Sequence, residues 1–437
     1  MKVQETIVKA YDLITGDEDA RVCKDIPEAA CDDQPRNFFA YLAANLFNKI
    51  ADELASAKLI LPWMLASVGA PAVFSGFLVP IREAGVLVPQ LLVAAYIRRI
   101  PLRKVVWLWG GGLTAGSLLL MAVIAGNLTG SAAGWGIILS LVVYSLARGL
   151  CSVSAKDVIG KTVSKGRRGA LMGYSASIAG AVTLGFGLYI QWLGMTSTAT
   201  PLLIGLLVIS AAMWLVALFA FAGIHEQPGA TEGGGNALLT ALESLKLLRT
   251  DAWLRQFIYA RALLLSVALA PPFYVLLAQQ RTAGDTAGLG MMIIASGVAS
   301  LVSSPLWGKM SDRSSRKVMV ISAFTASLLG VGVFFLVQSG SGLVAQPWFH
   351  GVLFLGLNIA HSGVRLGRKV YLVDMATAET RAPYVAISNT LIGIVILLAG
   401  VIGILGDLLS IHTLILLLGL VSLWASFYAL RLKEVSH

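Results

Sequence analysis

The sequence predicts an all-α integral membrane protein, with about 12 transmembrane helices arranged as two pseudo-symmetric six-helix bundles. Three observations predict this. First, the chain has 437 residues, of which 57% are hydrophobic and 13% charged, more apolar sequence than a soluble core absorbs. Second, apolar runs recur at a length of roughly 20 residues, which crosses about 30 Å of hydrocarbon as a helix. Third, the bases gather in alternate short loops, as expected when one face of the membrane retains Lys and Arg.

Residues 1–44 form a tail rich in acids, including the run Gly16-Asp17-Glu18-Asp19. Val3, Ile7, Tyr11 and Ile14 could form one short amphipathic surface helix, and a solvated chain is the alternative. The tail has the wrong character for a cleavable signal. Six spans follow at about 46–68, 72–98, 105–126, 134–153, 169–193 and 201–223, making a bundle over 45–223. Residues 224–253 read as a linker on the cytoplasmic side, with three glycines at 233–235 and a short helix over Leu238 to Leu248. Spans 7 to 12 then fall at about 255–279, 288–307, 318–338, 347–366, 382–405 and 412–430, giving a second bundle over 254–431 and a tail of 432–437. Against lipid every backbone group must be satisfied within its own segment, so each span is expected to be helical. Pro62, Pro80, Pro89 and the Pro271-Pro272 pair mark expected kinks.

The loops after spans 2, 4, 8 and 10 hold nearly all the loop bases, among them Arg103, Lys104, Lys161, Arg168, Arg313, Arg316, Lys317, Lys369 and Arg381. The opposite loops carry one base, Arg281, with Asp285 and Asp407. This places both termini in the cytoplasm of a multi-pass protein of the cell inner (plasma) membrane. The net charge of +10 is accounted for by these loops, so it points to no nucleic acid. Cys23, Cys31 and Cys151 lack any metal-ligand spacing and read as free thiols.

The halves repeat at a constant offset of 213. It carries Arg103-Lys104-Val105 onto Arg316-Lys317-Val318, Lys156 onto Lys369, Arg168 onto Arg381, Ser175 onto Ser388 and Gly180 onto Gly393. Between spans 8 and 9 lies Trp307 to Val318, W-G-K-M-S-D-R-S-S-R-K-V. This G-x-x-S-D-R-x-x-R-K pattern resembles the cytoplasmic signature of the major facilitator superfamily of secondary transporters. The resemblance implies two parallel halves with a substrate site between them near the midplane. It also implies a gating role for Gly308, Asp312, Arg313, Arg316 and Lys317, the glycine allowing close helix approach and the acid latching the cytoplasmic ends. The first-half copy over 96–104 has Ala95 in place of the glycine and Arg99 in place of the acid, so a latch there needs other partners. Gly180, Gly185 and Gly187 are similar to the glycine-rich stretch of drug antiporters, without its Gly-Pro pair.

Charges inside spans cost roughly 2.5–3.5 kcal/mol each unless paired or wetted. At 1.5 Å per residue, Lys58 and Glu83 each lie roughly 16–18 Å from the turn joining spans 1 and 2. Matched depth suggests an ion pair that leaves Arg82 over. Glu83 then reads either as a carrier of the coupling proton or as half of a permanent salt bridge. Asp52, in line with Asn48 and Ser56, is a second proton carrier or part of a solvated helix end. Asn358, His361, Ser362 and Arg365 share one face of span 10, and Tyr144, Ser145, Arg148 and Ser152 share one face of span 4. Span 7 adds Tyr259, Arg261, Ser266 and Tyr274. By the resemblance, spans 1, 4, 7 and 10 line the central cavity. A hydrogen-bonded packing role is the alternative for His361, and a place at the cytoplasmic rim is the alternative for Arg148 and Arg365.

The candidate substrate-binding residues are thus Lys58, Arg82, Tyr144, Arg148, Arg261, Asn358, His361 and Arg365, with Glu83 and Asp52 for proton coupling. Bases outnumber acids in this set, and arginine suits carboxylate or phosphate, so the expected cargo is a small, anionic organic solute. The expected mode is proton-coupled alternating access by a monomer that needs no cofactor or metal. Efflux of drugs or hydrophobic compounds, and a non-transporting sensor or scaffold, are the alternatives. No nucleophile–base pair or Gly-rich phosphate loop points to an enzyme or to ATP-driven transport.

Overall fold

A computed structural model describes residues 7–8, 11, 31–87, 99–193, 199–228, 247–377 and 381–435. The expected kink at Pro89, the base Arg98, the glycines at 233–235 and most of the 1–30 tail lie outside these residues, as does most of the Leu238–Leu248 helix. Among the described residues twelve spans are present in two halves. In the first, span 1 comprises Gln34–Leu54 and Ile60–Ser67, and span 2 is Ala72–Leu87. Spans 3 to 6 are Lys104–Asn127, Gly130–Thr162, Lys165–Leu193 and Ala199–Ala222. In the second half, span 7 is built from Ala252–Leu263, Leu265–Leu269 and Pro271–Arg281. Spans 8 to 10 are Thr286–Arg313, Ser315–Gln338 and Pro347–Met375. Span 11 joins Arg381–Ala399 to Gly403–Leu408 through a 3-10 turn, and span 12 is Ile411–Leu430.

Among the described residues, nine helices are long and apolar enough to cross a membrane, and they correspond to spans 3–9, 11 and 12. Spans 1, 2 and 10 fall outside that set. These three carry many of the titratable groups inside the spans, Asp52, Glu53, Lys58, Arg82, Glu83, His361 and Arg365, with Arg148 in span 4 and Arg261 in span 7.

The helix breaks follow from proline. Pro62 has no N–H to give the carbonyl of Lys58, four residues earlier, and its ring would crowd that carbonyl. Span 1 accordingly unwinds over 55–59 and restarts at Ile60, with Pro62 in the first turn. Span 7 likewise stops at Leu269 and restarts at Pro271.

Span 1 begins at Gln34, well inside the stretch expected to be tail. The extension mixes Arg36, Asn37 and Asn45 with apolar residues, so hydropathy alone does not reveal it: Phe38, Tyr41 and Ala44 are buried, while Phe39, Leu42 and Leu46 are partly covered. Asn37 fixes it to the end of span 6, donating to the His225 carbonyl (3.0 Å) and accepting from the His225 amide (2.8 Å). The free-thiol reading holds for buried Cys151. It fails for Cys31, which is disulfide-bonded.

The packing repeats when six is added to each span number. Span 1 packs on 5 and 6, span 2 on 4, and span 3 on 4 and 6; span 7 packs on 11 and 12, span 8 on 10, and span 9 on 10 and 12. Spans 2 and 11, and spans 5 and 8, join the halves. Both seams carry tight glycine contacts in the parts of the spans away from the basic loops. There Gly76 meets the backbone of Gly403, Gly187 meets Ile294 and Gly297 meets Leu184, each so tightly that a Cβ would approach within 3 Å.

At the basic face each half is tied to itself. Glu226, just after span 6, accepts from the backbone N–H groups of Arg103 (3.1 Å) and Lys104 (2.7 Å) at the start of span 3, and pairs with Lys161 at 2.9 Å. Arg103 also reaches Asp157 at 3.3 Å. In the second half Glu434, just after span 12, accepts from Ser314 (2.7 Å) and pairs with Arg316 (3.3 Å) at the start of span 9. Arg103 and Arg316 are related by the repeat offset, so the eroded first-half signature keeps an equivalent anchor through different acids.

Candidate functional site: a charged cavity between the halves

A cavity of about 300 Å³ lies between the halves, walled by spans 1, 2, 8 and 10. A second, of about 640 Å³, shares Asp52, Glu53, Ser300, Ser362 and Arg365 with it and extends toward the basic face past Lys49 and Lys369. The tight glycine contacts lie toward the opposite face, and the larger void extends toward the basic loops.

Of the sequence-predicted residues, Lys58, Arg82, Asp52, Glu83, Asn358, His361 and Arg365 all line the smaller cavity. Tyr144 and Arg148 stand behind Asp52 instead. Tyr144 donates to one Asp52 oxygen at 2.7 Å and Arg148 to the other at 2.5 Å, while Arg82 lies 3.6 Å from the latter oxygen. Arg148 also lies over the Trp214 ring and Arg82 over Tyr144. Asp52 is therefore the counter-ion that holds two arginines and a tyrosine from spans 2 and 4 to span 1. It is not a solvated helix end, and Arg148 is not at the rim.

Arg261 faces away from the cavity. It donates to Ser388 (2.6 Å) and Asn389 (3.0 Å) and so ties span 7 to span 11. Glu83 lies within electrostatic reach of Lys58, Arg368, Arg82 and Arg365. The expected Lys58–Glu83 ion pair does not form, because Lys58 sits in the unwound turn of span 1, where counting helical rise fails. Its Nζ instead lies 2.6 Å from His361 Nε2 on span 10, a polar link between the halves.

Arg365 is the exposed base at the junction of the two cavities, with no acidic partner among the described residues. Sequence reasoning misses Glu53, Lys49, Ser296 and Ser300. Glu53 is exposed to the cavity, and its side chain makes no hydrogen bond or ion pair among the described residues. Its neighbour Asp52 stands out through an i, i+4 stripe, but adjacent helical residues can face different parts of one void. The serines carry no charge to mark them.

The signature loop is loose in this state. A Cβ on Gly308 would meet open space, so the close approach implied by the resemblance is not used here. Asp312, Arg313 and Lys317 are exposed. Trp307, at the head of the motif, donates to the Ile359 carbonyl at 2.8 Å and ties span 8 to span 10. Among the described residues no group of His, Cys, Asp and Glu is arranged to hold a metal.

No family model matches the chain. Among curated proteins it is similar to the staphyloferrin B transporter of Staphylococcus aureus, at 28% identity over 187 residues. That alignment covers 42% of this chain and 43% of the relative's length. Among solved structures it is similar to a D-xylose-proton symporter, with a TM-score of 0.65, 14% identity, and 91% of this chain and 97% of the other covered. It is also similar to the nucleoside transporter NupG, with a TM-score of 0.69, 13% identity, and coverage of 90% and 99%. A partially occluded, inward-open xylose transporter from E. coli has a TM-score of 0.62 at 15% identity, with 90% and 99% covered. At these identities the likeness is one of fold. The cavity between two six-span halves is the feature that the fold builds, and this chain is a multi-pass membrane protein with the fold of the major facilitator transporters.

Proposed function

We propose that the protein is a secondary transporter that moves a small organic anion by alternating access, with the basic face in the cytoplasm of the inner (plasma) membrane. The observation that carries the reading is Arg365, an unpaired guanidinium exposed where the two cavities join. A planar guanidinium offers a carboxylate two parallel donors. Together the cavities expose Lys49, Lys58, Arg82, Arg365 and Lys369 against Asp52, Glu53 and Glu83, and Asp52 is already bonded to arginine. The excess of bases is smaller than the sequence inventory, because Arg261 and Arg148 leave it and Glu53 joins it. It lies toward the basic face, where an anion would enter.

Proton coupling belongs to the same reading. Glu83 stands in the cavity wall without an ion-pair partner among the described residues, and a proton reaching Asp52 would first have to break that residue's bonds to Tyr144 and Arg148. The rocking of two halves about the central void follows the logic of the fold, with the loosened Gly308–Lys317 loop closing the basic face in the other state.

The test is a thermal-shift screen of the purified protein against organic anions, staphyloferrin B included, with sugars, amines and drugs beside them. Stabilisation by an anion that disappears in Arg365→Gln supports the reading, and stabilisation by amines or drugs alone sinks it. A second reading, efflux of a cationic compound, draws on unpaired Glu53. It has little aromatic support beyond Phe354 in the smaller cavity and Trp307 in the larger, and the same screen decides it through Glu53→Gln.

A further inference from the structure

We propose that His361 is a proton-binding site whose protonation releases Lys58 and so removes a polar link between the two halves. The inference rests on the transporter reading only in taking the halves to be the moving bodies.

Lys58 Nζ and His361 Nε2 stand 2.6 Å apart. A lysine ammonium can only donate, so Nε2 must present its lone pair and the ring hydrogen must sit on Nδ1. The Val267 carbonyl of span 7 lies beside the His361 ring, and Pro271, four residues further on, has no N–H to give it; His361 Nδ1 itself is buried and makes no hydrogen bond among the described residues. The two proline breaks thus bring a lysine and a backbone carbonyl to the same imidazole. Both partners line the cavity, so the site is open to its water.

A proton arriving at Nε2 takes up the lone pair. Two cations would then point hydrogens at each other at hydrogen-bond distance, and the contact must open. Proton uptake and loss of the link between the halves are therefore one event. The neighbouring charges decide how the opened state is stabilised. Span 10 adds Arg365 and Arg368, and span 2 adds Arg82 and Glu83. Span 1 contributes Glu53 beside Lys58, and Asp52, which is held by Arg148 and Tyr144 of span 4. Span 7 contributes Arg261, engaged by Ser388 and Asn389, while span 8 presents only Ser296, Ala299 and Ser300 to the smaller cavity. Released Lys58 and protonated His361 are then two donors facing the cavity, and an anion between them favours the protonated state. Proton and anion should bind together rather than compete.

Double electron–electron resonance tests the link without any solute. Spin labels go on Lys156→Cys of the first half and Lys317→Cys of the second, both exposed at the basic face, in a background lacking the native cysteines and reconstituted in nanodiscs. On acidification from pH 8 to about pH 4, a second distance population should grow. It should be absent in His361→Gln, whose amide oxygen still accepts from Lys58 but takes no proton. Lys58→Met should show that population already at pH 8. A pH-dependent shift that persists in His361→Gln, an unshifting parent, or a Lys58→Met protein identical to the parent at pH 8 would each overturn the proposal. The anion screen on the unlabelled protein judges the transport reading separately.

Discussion

Asp407, near the end of span 11, caps the first two residues of span 2: its carboxylate oxygens accept from the backbone N–H groups of Ala72 at 2.9 Å and Val73 at 2.8 Å. One half of the molecule thus satisfies amides that the other half's helix leaves open at its N-terminus. The fork stands at the face opposite the basic loops, beside the Gly76–Gly403 contact, and borders a separate hollow of about 640 Å³ lined by Gln279, Gln280 and Thr200. Opening that face requires the fork to break. Asp407→Ala should remove roughly 0.5–2 kcal/mol of capping from the closed arrangement. A cysteine placed at Gln280 should then react with a membrane-impermeant maleimide several-fold faster than in the parent. An unchanged labelling rate would show that the fork does not hold the seam.

The glycines of the two seams and of the signature loop should respond in opposite ways to alanine. A Cβ at Gly76 meets the Gly403 backbone at 2.6 Å, where no side chain can move aside, whereas one at Gly308 meets nothing within 4 Å. Gly76→Ala should lower the melting temperature and loosen that seam. Gly308→Ala should leave the melting temperature unchanged or raise it, since a helical Gly costs up to about 1 kcal/mol relative to Ala. It should nonetheless slow transport if the basic face must close over that position. Equal losses of stability in both variants would contradict this contrast.

Asp52 and Arg148 should behave as a buried pair. Their side chains are 24% and 15% exposed, and their charged atoms are 2.5 Å apart. Removing one partner of such a pair typically costs about 3–5 kcal/mol, because the other charge is left uncompensated. Asp52→Ala should therefore destabilise the protein strongly in detergent, and Asp52→Ala with Arg148→Leu should recover part of the loss. A double variant no more stable than the single one would mean that the pair does not account for the cost.

Asp251 predicts an acid limit at the start of span 7. It caps that helix through the amides of Trp253 (2.9 Å) and Leu254 (3.0 Å) and accepts from Tyr384 of span 11. Burial pushes its carboxyl upward, but these hydrogen bonds outweigh burial and hold it below the ordinary value. A carboxyl depressed by folding contributes stability that is fully present above its unfolded pKa, about 3.9. That contribution is lost as pH falls through the lower folded value. Asp251→Asn should lower the melting temperature at neutral pH and flatten its fall at acidic pH. An identical acid profile in the variant would place the acid sensitivity elsewhere.

The residues that sequence reading can and cannot assign differ in kind. The spans are legible because a membrane helix must be apolar along its length, and the duplication is legible because it leaves bases at one constant offset. Lys58, Arg82, Glu83, Asn358, His361 and Arg365 can be named as cavity residues because a polar group in an apolar span has few places to go. Their pairings cannot be named. Depth along ideal helices matches Lys58 with Glu83, yet Pro62 unwinds the turn that carries Lys58 and directs it across to His361. Arg261 reads as a cavity base until span 11 supplies Ser388 and Asn389. Glu53 escapes notice because its chemistry lies in having no partner, and no one-dimensional pattern records that.

The order of residues alone sets the class of solvent, the number of spans, the twofold repetition and the side chains that water or one another must satisfy. Each of these depends on the cost of moving a group out of water, which is local to the residue. Folding in three dimensions selects which charge answers which: Asp52 with Arg148, Lys58 with His361, Asp407 with the start of span 2. Those choices rest on distances of a few ångströms between segments far apart in the chain, set by where proline breaks a helix and where glycine lets two backbones touch.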